Sequence, residues 1–191
     1  AGALWLAHDR LSPALRPFVL EVAGTLGDTG VFAIQPDTLV YNTSGSYSIV
    51  QQPFKHLRVN SGTAVLSIVT VPGDLEVSGT GSASTPGSAL GVTGNLRTTG
   101  SGTLQMQTAN GSLVVQGNAT FAGGNTSGLL TAGTLQLNGN FTQTGASGGQ
   151  FAATGTHRVS FIRPAGPQTV QFQDSVNSFF SDLYLNRTAV D

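Results

Sequence analysis

The sequence predicts an all-β protein wound as a single-stranded parallel β-helix, a β-solenoid of about 22 residues per rung, expected to be right-handed. Three observations carry that expectation. An eleven-residue phrase is written four times in succession: VTVPGDLEVSG (Val69–Gly79), LGVTGNLRTTG (Leu90–Gly100), LVVQGNATFAG (Leu113–Gly123) and LQLNGNFTQTG (Leu135–Gly145), starting 21, 23 and 22 residues apart. Alternate positions of each copy are apolar. Every copy also reads in the same direction, as stacked rungs do, whereas a hairpin meander would reverse the strand sense from one copy to the next.

Side chains of a strand point alternately to its two faces. At one parity the copies read Val69, Val71, Gly73, Leu75, Val77, Gly79; Leu90, Val92, Gly94, Leu96, Thr98, Gly100; Leu113, Val115, Gly117, Ala119, Phe121, Gly123; and Leu135, Leu137, Gly139, Phe141, Gln143, Gly145. Apart from Thr98 and Gln143, this set is apolar or glycine and is the expected core. The other parity, with Glu76, Arg97, Gln116, Thr120, Asn138 and Thr142, faces water. The pairs Gly73–Asp74, Gly94–Asn95, Gly117–Asn118 and Gly139–Asn140 read as structural corners. Glycine there would spare a narrow core an inward Cβ, and Asn or Asp accepts left-handed backbone and bonds its own main chain. Like residues should then pile over one another at about 4.8 Å per rung, about eight rungs making a rod of roughly 40 Å.

The flanks are read in order. Residues 1–24 are expected to form an irregular N-terminal arm or cap, because Pro13 and Pro17 interrupt the loosely helical spacing of Leu4, Trp5, Leu6, Leu11, Leu15 and Phe18. Residues 25–191 are the expected solenoid domain, in which short β-rich phrases are punctuated by Gly, Ser, Asn and Pro from Val31 onward. TLVYN (Thr38–Asn42) with FKHLRVN (Phe54–Asn60), and RVSF (Arg158–Phe161) with FFSDLYLN (Phe179–Asn186), look like matching terminal units, Leu57 and Val59 answering Leu183 and Leu185. Phe54, Phe151, Phe161, Phe172, Phe179, Phe180 and Tyr184 gather toward the ends, either as plugs for a tapering core or as surfaces where subunits stack.

Composition excludes several function classes. Only 9% of the 191 residues are charged, the formal net charge is -1, and Lys55 is the sole lysine, against a usual charged fraction of about a quarter. Nucleic acid is not an expected partner, since displacing counterions from phosphates needs clustered Lys and Arg. No apolar run reaches the ~18 to 20 residues of a membrane helix. The absence of cysteine removes disulfides, thiolate metal sites and cysteine nucleophiles. The chain starts at Ala1 without Met, which fits a processed or excised segment and an exported protein.

No catalytic, cofactor-binding or metal-binding residue is assigned. Asp74 and Glu76 are a close carboxylate pair on an outer strand face, and a solvated rung surface explains them better than a glycosidase dyad. His8, His56 and His157 lack ligand spacing, and His56 reads as a surface residue. There is no GxSxG elbow, GTGSAS (Gly79–Ser84) is not a phosphate loop, and the calcium nonapeptide GGxGxD is missing. Asn-x-Ser/Thr, the acceptor pattern for glycosylation in an exported protein, occurs at Asn42, Asn110, Asn118, Asn125, Asn140 and Asn186; at Asn118 and Asn140 the corner grammar itself generates it, so chance production by the repeat is the stronger explanation.

GTHRVSF followed by PQTVQF and SFFSDLYLN, together with the tandem LQLNGNFTQTG phrase, resembles the β-helical repeats of very large bacterial cell-surface and adhesin-like proteins, over roughly residues 38 to 188. The resemblance implies an extracellular or cell-surface scaffold without a catalytic set. The expected function is therefore a non-enzymatic structural one: a stalk segment, or a subunit that self-associates end to end into fibres. Trp5, Leu6, Leu11 and Phe18 of the arm, and Phe179, Phe180 and Tyr184 at the other end, are the candidate subunit contacts. The alternative is a carbohydrate- or surface-binding adhesin module that reads glycans with its Thr, Asn and Gln rows. A polysaccharide-degrading enzyme is less favoured, because the carboxylates are so few.

Overall fold

The computed structural model describes residues 18–23, 36–50, 53–85, 87–145, 148–163 and 166–185. In chain order the strands are β1 (Val19–Val22), β2 (Thr38–Val50), β3 (His56–Ser67), β4 (Thr70–Val71), β5 (Leu75–Val77), β6 (Ser82–Ser84), β7 (Ala89–Val92) and β8 (Leu96–Thr98). They continue as β9 (Thr103–Gln105), β10 (Ser112–Val115), β11 (Ala119–Phe121), β12 (Thr134–Leu137), β13 (Phe141–Gln143), β14 (Arg158–Phe161), β15 (Val170–Phe172) and β16 (Asp182–Leu185). Every pairing between them is parallel. The chain is a parallel β-solenoid of about seven turns with ~21 residues per turn.

Each turn lays its strands on three faces. One face is the column β1-β2-β3-β5-β8-β11-β13-β15, and a second is β4-β7-β10-β12-β14-β16. The third starts from the second half of β2, which pairs with the second half of β3, passes through β6 and β9, and continues as the bridges Met106 to Leu130 and Leu130 to Ala153. The repeated phrase is thus one strand of the second face, a corner, and one strand of the first. Register stacks like on like: Leu57, Leu75, Leu96, Ala119 and Phe141 form one column, and Leu90, Leu113, Leu135 and Val159 another. All are buried, and each of these side chains except Ala119 contributes about 1.5 to 3 kcal/mol by leaving water. Toward the C-terminal rungs the core turns aromatic, with Phe121, Phe141 and Phe151 packed at centroid distances of 4.6 to 5.5 Å.

The corners work differently from the expectation. Gly73, Gly94, Gly117 and Gly139 are not left-handed; the left-handed positions are phrase-ending glycines such as Gly79 and Gly100, at φ +56° and +62°. What the corner glycine avoids is the rung before it, because a Cβ on Gly117 would sit 2.6 Å from Gly94 O and one on Gly94 would sit 2.8 Å from Gly73 O. Those carbonyls already accept the rung-to-rung bonds from Gly117 N and Gly94 N, both at 2.9 Å. Close stacking at a bend, and not a crowded interior, therefore demands glycine.

The neighbouring polar residue also bonds across rungs and not to its own backbone. Asp74 Oδ1 accepts Asn95 N–H at 2.7 Å, Asn95 Oδ1 accepts Asn118 N–H at 2.9 Å, Asn118 Oδ1 accepts Asn140 N–H at 2.8 Å, and Asn140 Oδ1 accepts Thr169 N–H at 2.9 Å. At the bend, the main-chain carbonyl of each Asn already takes the N–H of the residue after the preceding corner, as Leu96 N donates to Asn118 O. A side-chain oxygen of the right length supplies the missing acceptor. His56, read as a surface residue, begins this ladder: its Nδ1 accepts Asp74 N–H at 2.9 Å and its side chain is mostly covered.

Two further expectations change. Leu57 and Val59 lie in β3 on the first face, whereas Leu183 and Leu185 lie in β16 on the second, so the two terminal units are not structural equivalents. The sheet also begins inside the segment read as an arm, since β1 pairs in register with β2 from Val19 to Val22. Trp5, Leu6 and Leu11 lie outside the described residues.

Candidate functional site

The two exceptions to apolar inward parity are buried and bonded. Thr98 Oγ1 accepts Gly123 N–H at 3.1 Å. Gln143 donates to Gly145 O and to Gln150 Oε1, while its own Oε1 accepts Gln173 N–H and Asp174 N–H. Polar atoms placed in the core need such partners, so these residues serve the fold.

The carboxylates singled out in the sequence are engaged in the same way. Asp74 belongs to the corner ladder. Glu76 accepts from Arg58 at 2.7 Å and from Thr99 Oγ1 at 3.3 Å. Among the described residues, no three His, Cys, Asp or Glu side chains come together as a metal site. No helix there is long and apolar enough to cross a membrane. His157 sits inside the core, where Nδ1–H donates to Ala132 O at 3.0 Å and Nε2 is buried without a partner. Desolvation lowers its pKa below 6.5, against a smaller opposite effect of the Ala132 carbonyl, so the ring is held neutral.

The surface that departs from the rest of the coil is its C-terminal end. In β14, Val159 and Phe161 are 0% and 2% exposed; directly over them in β16, Leu183 and Leu185 are 47% and 62% exposed. On the first face Val170, stacked over the buried Phe141, is exposed as well. These side chains have inward parity but no rung above them. The opposite end differs on the first face, where Leu20 and Val22 of the terminal strand β1 remain 6% and 3% exposed, but Val69, expected in the core and placed just before β4 at the start of the second face, is 69% exposed.

The candidate contacts separate in space. Phe180 turns inward as a plug, its ring 4.9 Å from both Phe141 and Phe172. Tyr184 lies on the outer side of the second face beneath the Arg158 guanidinium, 5.7 Å from its centroid, and Arg158 Nε also bonds Asp182 at 2.6 Å. Phe179 faces out from the third face, and Phe18, half-exposed, precedes β1. Leu183, Leu185 and Val170 were not singled out as contacts in the sequence, although alternation within VQF and DLYL already placed them inward on the last rung.

None of the family models, curated proteins or solved structures compared with the chain matches it. A reading of its function therefore rests on this end surface and on the flanks of the coil.

Proposed function

We propose that the chain is a non-enzymatic, extracellular structural β-solenoid, a segment of a stalk or a subunit that joins end to end through its C-terminal rung. The observation that supports this is the uncovered core column: Leu183 and Leu185 expose about half of their surface, where the positions from Leu90 to Val159 and from Val92 to Phe161 in their stacks are buried. A strand edge bordered by apolar side chains is a template for another strand, and isolated soluble proteins usually protect such edges. With charged groups few and scattered, little electrostatic repulsion opposes the contact. Joining there would add one more rung to the stack.

Sedimentation across the micromolar range, with electron microscopy of the same samples, tests the proposal. The intact chain is expected to associate, and Leu183→Arg or Leu185→Arg to leave a folded monomer with an unchanged β-type circular dichroism spectrum. An intact chain that sediments as a monomer throughout, or arginine variants that associate as before, would overturn it.

A further inference from the structure

A shallow cleft of about 400 Å3 opens on the flank of the third face, with Asn125, Ser127, Gly149, Val176, Asn177 and Phe179 around it. No ionisable side chain lines it. Its apolar side is presented to solvent, Phe179 being 43% and Val176 83% exposed.

The polar groups are fixed before any ligand arrives. Asn125 Oδ1 accepts Ser127 N–H at 2.7 Å. Asn177 is anchored from the other end of its amide, Nδ2 donating to the Asp174 carboxylate at 3.1 and 3.3 Å, while that carboxylate also accepts Val176 N–H and Asn177 N–H. Asn125 therefore spends its oxygen on the protein and leaves its Nδ2 as a donor beside Gly149, where the main-chain carbonyl oxygen of Asn177 is the acceptor. Between them lies Gly149 at φ +62°, where an added Cβ would fall 2.9 Å from Asn177 O and 3.5 Å from Asn125 Nδ2. The missing side chain keeps the floor of the cleft open.

We propose that this cleft binds a neutral saccharide. A sugar hydroxyl both donates and accepts, which matches the donor of Asn125 set against the acceptor of Asn177, and the C–H face of the ring matches the exposed Phe179 ring. An uncharged lining gives nothing to pair with a carboxylate or sulfate group, so acidic sugars are disfavoured. The volume lies at the small end of ordinary ligand pockets, which suits one or two sugar rings of a longer chain running along the flank. The inference does not depend on end-to-end joining.

Saturation-transfer NMR on the whole chain, with maltotriose, cellotriose and chitotriose as neutral probes and trigalacturonate as the acidic one, tests it. Transfer to at least one neutral trimer and none to trigalacturonate is expected. Phe179→Ala and Asn125→Ala, both on exposed side chains, should each weaken binding roughly tenfold, while Phe179→Tyr retains it. Leu183→Arg, which addresses the coil end, should bind as the intact chain does. Absence of transfer to all three neutral trimers would overturn the assignment, as would equal transfer to trigalacturonate or binding untouched in both alanine variants.

Discussion

Asn95 Oδ1 accepts the backbone N–H of Asn118, a residue 23 positions later in the chain, at 2.9 Å. The same bond, offset by one turn, links Asp74 to Asn95, Asn118 to Asn140 and Asn140 to Thr169. At each bend a side chain thus completes a hydrogen-bond ladder that the main chain alone leaves one acceptor short.

Removing one rung of that ladder should weaken the coil measurably without unwinding it. Asn95→Ala takes the acceptor from Asn118 N–H at an exposed corner where water can replace it, so a cost of about 1 kcal/mol is expected. For a chain of this size, that lowers the thermal midpoint by roughly 2 to 4 °C. Asn95→Asp should not rescue it, because its second oxygen would face the Asp74 carboxylate that Asn95 Nδ2 bonds at 3.1 Å; an alanine variant as stable as the parent would remove the ladder from the account.

Glycine is required for two separate reasons, and substitution with asparagine distinguishes them. Gly128, at φ +74°, has open space where a Cβ would go, so asparagine, which tolerates left-handed backbone, should restore most of the stability that alanine loses. Gly117 has an ordinary φ but only 2.6 Å between a Cβ and Gly94 O, so alanine and asparagine should both cost about 1 to 3 kcal/mol. Urea unfolding of the four variants measures this, and rescue by asparagine at Gly117 would contradict it.

The buried Gln143 should resist apolar replacement. Its amide serves Gly145 O, Gln150 Oε1, Gln173 N–H and Asp174 N–H at 2.8 to 3.0 Å, with one of them carried on the segment that leads to the C-terminal cleft. Leucine fills the volume but strands these groups in a core position, for an expected loss of about 3 kcal/mol. A denaturation midpoint equal to the parent's would show that solvent or relaxation satisfies them instead.

His157 gives the fold a pH dependence of known sign. Burial depresses its pKa in the folded state, whereas the unfolded chain takes up a proton near the ordinary 6.5. Below that value the unfolded state binds more protons, so stability is complete above it and falls as pH drops toward the lower folded pKa. Thermal midpoints should therefore be flat above about pH 7 and decline below about pH 6. His157→Phe should flatten the decline, and an unchanged slope in that variant would assign the dependence to other groups.

Much of the coil was legible in the residues because a period-two pattern repeated in one direction encodes stacked parallel strands directly. Leu75, Leu96, Phe141 and their neighbours have inward parity in the sequence and are buried in the fold. The corners were legible as positions but not as chemistry: a glycine next to an asparagine is compatible with a left-handed turn, and only the neighbouring rung, some 21 residues away, reveals that the glycine clears a carbonyl and the asparagine reaches a distant N–H. His56 keeps the outward, partly exposed position its alternation gave, but its bond to Asp74 N–H was not legible, since that partner lies one turn away. The cleft left no local signature, because Asn125 and Asn177 come together only when successive turns are laid side by side.

By itself the sequence determined the architecture, the direction of the strands and which side chains form the core, since burial alternation and repeat length are local properties of the chain. The tertiary structure alone decided which face each strand joined, what the corner residues bond, and that one end of the core column, at Leu183 and Leu185, is left uncovered. Those are contacts between rungs, set by how neighbouring turns stack, and no single turn of the sequence contains them.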